Sequence, residues 1–223
     1  MTEKQFVIIG LGRFGSSIAE TLFSLGNDVL VIDKNEECVQ DISDKVTHAV
    51  QMDATDENAL KSLGIRNFDV AIVTIGDDIQ SSIMATLLLK ELGVKYIVAK
   101  AKNDLHEKVL KKIGADKVIL PEKEMGIRIA HNLVSSNILE YIDLSPDYSI
   151  IEIEAIDEWC DKSLKELNLR SKYGINIIGL KGNNGINISP GADEIINKGD
   201  IMVAIGSADD LKKVEEEIVK SNR

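Results

Sequence analysis

Phe6-Val7-Ile8-Ile9 runs directly into Gly10-Leu11-Gly12-Arg13-Phe14-Gly15, after which Ile18, Ala19, Leu22, Phe23 and Leu25 fall at helical spacing. Four consecutive apolar residues suit a strand buried on both faces, and a glycine-punctuated turn from strand into helix leaves few folds open. Gly10 permits the tight turn, Gly12 lets a pyrophosphate approach the backbone, and Gly15 lets helix and strand sit close together. An anion above the turn then meets N–H groups at a helix N-terminus. A second apolar run, Val29-Leu30-Val31-Ile32, ends in Asp33. That acid lies about 20 residues beyond the glycines, where a carboxylate can accept hydrogen bonds from ribose hydroxyls. Together these features point to an adenine nucleotide.

Strand and helix then keep alternating. A helix is expected from Asn35 to Ser43, a strand from His48 to Gln51, and a helix from Asp56 to Leu63. A strand over Val70-Ala71-Ile72-Val73-Thr74, a helix from Gln80 to Leu92, a strand from Tyr96 to Ala99, a helix from Asp104 to Ile113 and a strand from Lys117 to Leu120 follow. Six strands separated by helices call for a parallel, doubly wound α/β sheet of Rossmann type over residues 1–120. Ligands of such sheets lie at the carboxyl ends of the strands, which gathers Gly10, Asp33, Asp53, Thr74 to Asp78 and Lys100 around one crevice.

Pro121 is placed to start a helix, with Glu122 and Glu124 where acidic groups suit the N-terminal dipole. The helix is expected to run to about Leu139. Ile127, Ala130, Val134 and Ile138 form one apolar row on it, and Ile129 and Leu133 form another. Two separated rows mean either that the helix is sandwiched within the chain or that it grips a second copy, and the second is favoured; residues 121–144 are assigned to this crossover and dimerisation segment. From residue 145 the texture changes to alternating strands (Ile151, Ile153; Ile175, Ile177), a Gly182-Asn183-Asn184-Gly185 hairpin, a strand from Ile201 to Ile205 and an amphipathic helix from Ala208 to Val219. This makes a small α+β domain over 145–223.

A net charge of −11 over 223 residues disfavours nucleic acid and anionic lipid as partners. Apolar runs are far too short to span a membrane, and the start of the chain lacks the basic-then-apolar pattern of a signal peptide. Cys38 and Cys160 stand apart, which suits a reducing cytoplasm, and His48, His106 and His131 have no partner at zinc-ligand spacing. There is no GxSxG elbow and no GxxxxGK[ST] loop. Tyr96 and Lys100 are four apart on an expected strand, which separates them by roughly 13 Å. A nucleotide-binding domain without catalytic groups, followed by a dimerising helix and a second domain, suggests a non-enzymatic switch. An NAD-dependent oxidoreductase is the rival class.

The glycine loop, Leu63-Gly64-Ile65-Arg66-Asn67-Phe68, Leu87-Leu88-Leu89-Lys90-Glu91-Leu92, Lys112-Ile113-Gly114-Ala115-Asp116 and Pro121-Glu122-Lys123-Glu124-Met125-Gly126 resemble the cytoplasmic regulatory subunits of Ktr/Trk potassium-uptake systems, members of the RCK (regulator of conductance of potassium) family. The resemblance implies ATP or ADP, or NAD(H), in the first domain. It also implies an octameric ring of dimers beneath a potassium-translocating membrane subunit, at the inner face of the membrane. The nucleotide set it implies is Gly10, Leu11, Gly12, Arg13, Phe14, Gly15, Asp33, Lys34, Asp53, Ala54, Thr74, Ile75, Gly76 and Lys100. Asp33 matches the ribose acid, Asp53 the adenine-contacting acid, and Glu122 a carboxylate linked to Mg2+ or Ca2+ binding. Each of three residues has a rival role: Asp33 as a helix cap, Arg13 as a solvated helix-start residue, and Glu122 as a partner of the helix dipole. The second domain resembles the RCK C-terminal module, which implies cyclic di-AMP at Arg170, Asn176, Ile177, Ile178 and Pro190.

Overall fold

The computed structural model describes residues 4–134, 137–145, 147–182 and 185–221. They form two units, Met1–Pro121 and Glu122–Arg223. The first unit runs β1 (Gln5–Ile9), α1 (Arg13–Ser24), β2 (Asp28–Asp33), α2 (Glu36–Ile42), β3 (His48–Gln51), α3 (Glu57–Ser62), β4 (Val70–Val73), α4 (Ile79–Glu91), β5 (Ile97–Lys100), α5 (Asp104–Lys112) and β6 (Lys117–Ile119). All strand pairs are parallel, in the order β3-β2-β1-β4-β5-β6. The expected doubly wound sheet is therefore present, with its order reversing at β1, where β2 leaves on one side and β4 on the other.

The apolar runs explain why. Val7 and Ile9 enter one core with Leu60, Leu89 and Leu110 from α3, α4 and α5. Ile8, between them in sequence, enters another with Ala19, Val39 and Ile42 from α1 and α2. Successive strand residues point to opposite faces, so only an uninterrupted apolar run can serve a sheet covered on both sides. Each fully buried aliphatic side chain contributes about 1.5–3 kcal/mol of transfer free energy. Asn35, Asp56, Asp78 and Asn103 cap α2 to α5 with their side chains, which sets where those helices begin.

The second unit contains α6 (Pro121–Val134, whose first residue closes the first unit), β7 (Ile138–Asp143), β8 (Tyr148–Glu154), α7 (Leu164–Leu167), α8 (Leu169–Tyr173), β9 (Asn176–Gly182), β10 (Gly185–Ile188), β11 (Ile201–Ser207) and α9 (Ala208–Ser221). Its antiparallel sheet has the order β10-β9-β11-β8-β7. Ile151, Ile153, Met202 and Ala204 meet Leu211, Val214 and Ile218 of α9 in one core. Gly182 pairs with Gly185 across the expected hairpin; Asn183 and Asn184, the turn itself, lie outside the described residues, as does Pro146.

One boundary differs from expectation. The helix ends at Val134 instead of near Leu139, and residues 138–143 form β7 against β8. Ile138-Leu139-Glu140-Tyr141-Ile142 fits a period of two as well as a helical one, and strand pairing lets Tyr141 join the second core, which a continued helix would not. Ile138 thus leaves the row assigned to it. Of the remaining apolar residues, Ile127, Ile129 and Leu133 are 47%, 49% and 80% exposed in the single chain, and Ala130 is exposed as well; the side chain of Val134 lies outside the described residues. Among the described residues no helix is long and apolar enough to cross a membrane.

Leu89 is fully buried at the centre of the first core. Leu89→Ala removes its methyl groups and leaves a cavity, so a loss of about 2–5 kcal/mol is expected, seen as a lower urea midpoint with unchanged slope. An unchanged midpoint would mean that α4 does not pack as described.

Candidate functional site

The cleft is built where β1, β2 and β4 end together. Gly10 N–H donates to Ile32 C=O, and Thr74 N–H donates to Ile9 C=O, each at 2.8 Å, so the glycine loop leaves the sheet at its switch point. Gly10 has φ +102°, and a Cβ there would stand 3.0 Å from Ile75 N. Gly15 is tighter still: a Cβ would lie 2.0 Å from Gly10 O and 2.5 Å from Thr74 Oγ1. The Thr74 hydroxyl donates to Gly10 C=O at 2.6 Å and ties the end of β4 to the loop. Gly12 is the opposite case, because nothing lies within 4 Å of where its Cβ would be. Its missing side chain leaves room for a ligand.

α1 begins without a side-chain cap and has no acidic residue in its first turn, whereas α2 to α5 are each capped. Its first intrahelical bond is Ser16 N–H to Gly12 C=O at 3.0 Å. The N–H groups of Arg13, Phe14 and Gly15 precede that bond, and with the dipole behind them they suit a phosphate oxygen.

Asp33, at the end of β2, accepts Leu11 N–H on Oδ2 at 2.5 Å and Asn35 N–H on Oδ1 at 2.8 Å. It does not cap α2; Asn35 does. Asp33 therefore braces the glycine loop, and each of its oxygens keeps a lone pair for a ribose diol. Asp53 Oδ1 accepts both the N–H and the hydroxyl of Thr55, at 2.9 and 2.7 Å. Those two bonds, the backbone one foremost, hold its carboxyl below the usual carboxylate range, with nearby Lys34 adding to the effect.

Gly10, Gly12, Asp33, Lys34, Asp53, Ala54, Thr74, Ile75 and Gly76 of the expected set all line the cleft. Leu11, Arg13, Phe14, Gly15 and Lys100 do not. Leu11 is buried and serves through its N–H, Gly15 lies beneath the loop, and Arg13 is exposed on the first turn of α1. Lys100 Nζ stands 5.7 Å from the centroid of the Phe14 ring and 3.5 Å from where a Gly76 Cβ would be, at the rim. Met52 and Ser81 also line the cleft. Ser81 is brought in because its N–H and hydroxyl both bond the Asp78 carboxylate that caps α4; the Asp-x-x-Ser spacing carried that signal.

In the second unit a separate depression gathers Arg170, Asn176, Ile177 and Pro190 with Lys165 and Asn168. Ile178 does not line it. A β-bulge opposite Val203 and Ala204 of β11 makes Ile178 the extra residue of β9, and its C=O instead accepts Ser189 N–H at 3.1 Å. Glu122 is exposed in the first turn of α6, and among the described residues no three His, Cys, Asp or Glu side chains converge on a metal position. Cys38 and Cys160 are half-buried and neither lines the cleft, with burial foremost in raising both thiols.

The glycines give a paired test. Gly15→Ala has no space for its methyl and should destabilise the protein by more than about 1–3 kcal/mol. Gly12→Ala should melt as the wild type does and yet lose adenine-nucleotide binding in calorimetry. Equal stability for the two variants would contradict the loop geometry.

The TrkA-N domain family matches residues 6–121, and the TrkA-C domain family matches residues 149–219. The chain is 48% identical over 217 residues to Ktr system potassium uptake protein C of Bacillus subtilis, covering 97% of this chain and 98% of that protein. It is 50% identical over 214 residues to Ktr system potassium uptake protein A of the same organism, covering 96% of each. Both relatives are named as uptake proteins and not as enzymes, in keeping with the expected non-enzymatic role. Among solved structures, the GsuK RCK domain superposes with a TM-score of 0.68 at 18% identity, over 97% of this chain and 48% of that one, a likeness of fold. With both of its domains matched and half of its residues shared with proteins of the same length, the chain belongs to the TrkA-N/TrkA-C family that includes the Ktr system potassium uptake proteins.

Proposed function

We propose that the chain is a regulatory subunit of a Ktr-type potassium uptake system, held at the cytoplasmic face of a potassium-translocating membrane subunit and switched by exchange of ATP for ADP. The observation that carries this reading is the uncapped N-terminus of α1 above the open space at Gly12, beside the braced carboxylate of Asp33. The N–H groups of the loop hold the inner phosphates, Asp33 takes the ribose diol, and Asp53 takes the adenine side. NAD(H) presents the same adenosine diphosphate moiety and would fit the same groups. Nucleotide affinity alone gates nothing; a ligand shifts an equilibrium only through differential affinity for its two states.

Arg13 supplies that difference. It is exposed at the first position of α1 and outside the lining of its own cleft, which favours a reach to the third phosphate held by a neighbouring copy, where a guanidinium fork suits anionic oxygens. Copies assemble as an eight-membered ring, with the exposed Ile127, Ile129 and Leu133 of α6 among the gripping surfaces. Glu122 contributes one carboxylate to Mg2+ or Ca2+ shared with the phosphates, in line with the few protein carboxylates such sites use. The depression around Arg170, Asn176, Ile177 and Pro190 is the second regulatory site. A guanidinium, an amide and apolar walls there suit the phosphates and bases of cyclic di-AMP.

Because Asp33 also braces Leu11, Asp33→Ala removes two functions at once, and Asp33→Asn separates them by keeping an acceptor for the loop. Asp33→Ala should lose about 1.5–3 kcal/mol of ADP affinity, roughly ten- to a hundredfold. Asp33→Asn should narrow the preference for NAD over NADP, since the repulsion of a 2′-phosphate goes with the charge. Unchanged calorimetric affinities in both variants would remove Asp33 from the ribose site. In reconstituted complex, Arg13→Ala should bind ATP and ADP and erase the difference in potassium flux between them. A retained wild-type flux ratio would show that Arg13 does not sense the third phosphate.

A further inference from the structure

His106 is 2% exposed on the first turn of α5, and no role in the cleft has so far been given to it. Its Nδ1 accepts the N–H of Lys102 at 3.2 Å, while its own backbone N–H donates to Asn103 Oδ1 at 2.9 Å. These reciprocal bonds fold the loop of residues 101–103 onto the start of α5. An Nδ1 that accepts must carry a lone pair, which leaves the ring proton on Nε2, and among the described residues Nε2 is buried without a partner. Burial also lowers the basicity of the ring, which favours the neutral form that keeps this lone pair.

The clamped loop lies beside one edge of the cleft. It follows Lys100, whose Nζ sits by the Phe14 ring and Gly76, and it carries Lys102, whose Nζ is 4.0 Å from Asp77 Oδ1. Gly76 and Asp77 both line the cleft. The Lys102–Asp77 pair is long and exposed and fixes little by itself. At the start of the loop, Ala101 N–H donates to Ile119 C=O at 2.8 Å, and the His106 ring is a buried anchor of the turn that follows.

We propose that His106 is a positioning residue for the cationic edge of the nucleotide cleft, acting through its acceptor bond to the Lys102 amide. The proposal deepens the nucleotide reading above and rests on it. Two variants separate positioning from mere packing. His106→Asn places Oδ1 about where Nδ1 stands and so keeps the acceptor, whereas His106→Leu keeps apolar volume without one. ADP titrated into the full chain should bind about tenfold more weakly to His106→Leu, with His106→Asn restoring affinity to within about threefold of wild type. His106→Leu binding ADP as tightly as wild type would overturn the proposal, as would His106→Asn binding as weakly as His106→Leu. Should His106→Leu fail to fold, hydrogen exchange in ligand-free wild type and His106→Asn decides: the Lys102 amide is expected to be protected in both, and exchange at the intrinsic rate in either one overturns the clamp. Wild-type protein that binds no ADP at all would instead overturn the nucleotide reading, an outcome separable because Lys102 exchange is read without ligand.

Discussion

Everything in the first unit depends on one close contact, the backbone of Gly15 lying over the carbonyl of Gly10 while the Thr74 hydroxyl closes on that same carbonyl. A single methyl group cannot be fitted between them. The contact brings the first turn of α1 down onto the ends of β1 and β4, so that its unpaired N–H groups stand at the mouth of the sheet instead of above it. The parallel order of strands then delivers Asp33, Asp53 and Thr74 to the same edge, because every strand of a doubly wound sheet ends on the same side.

The electrostatics of the site resolve an apparent conflict. The chain carries a net charge of −11, and Asp33, Asp53, Asp77 and Asp78 line the cleft that is read as holding a polyanion. Much of that acidity is already committed to backbone: Asp33 to Leu11 and Asn35, Asp53 to Thr55, and Asp78 to Ser81. Oriented N–H groups at the helix start act at contact distance, where they outweigh charges that are solvated and screened. An acidic protein can thus bind phosphate locally while repelling nucleic acid as a whole.

The second unit uses a different device. Its depression gathers Asn176 and Ile177 of β9 with Arg170 and Pro190 from separate elements, and the β-bulge at Ile178 follows them directly. A bulge of one residue changes which side chains share a face, and the residues flanking it alternate in a way that fits several registers.

Two signals in the linear chain sufficed for the Rossmann unit: uninterrupted apolar runs, which only a doubly covered sheet can bury, and glycines at positions where a Cβ has no room. Six strands, their parallel sense and most of the cleft were legible from Val7 to Ile9, Gly10, Gly15 and Asp33, since these are local demands of backbone and burial. Local pattern was insufficient at Ile138 to Asp143, whose residues satisfy helical and strand periods alike; partnership with β8, remote in character from either period, decided for strand. The bracing of Leu11 by Asp33, the bracing of the loop by Thr74 and the clamp of His106 on Lys102 were equally beyond the sequence. A side chain's hydrogen-bond partner is set by three-dimensional proximity, as in the 64 residues that separate Thr74 from Gly10, and no spacing rule along the chain encodes it. The sequence by itself determined which backbone could form and where an anion could approach it; the tertiary structure decided which polar groups are spent holding that backbone and which are left to meet a ligand.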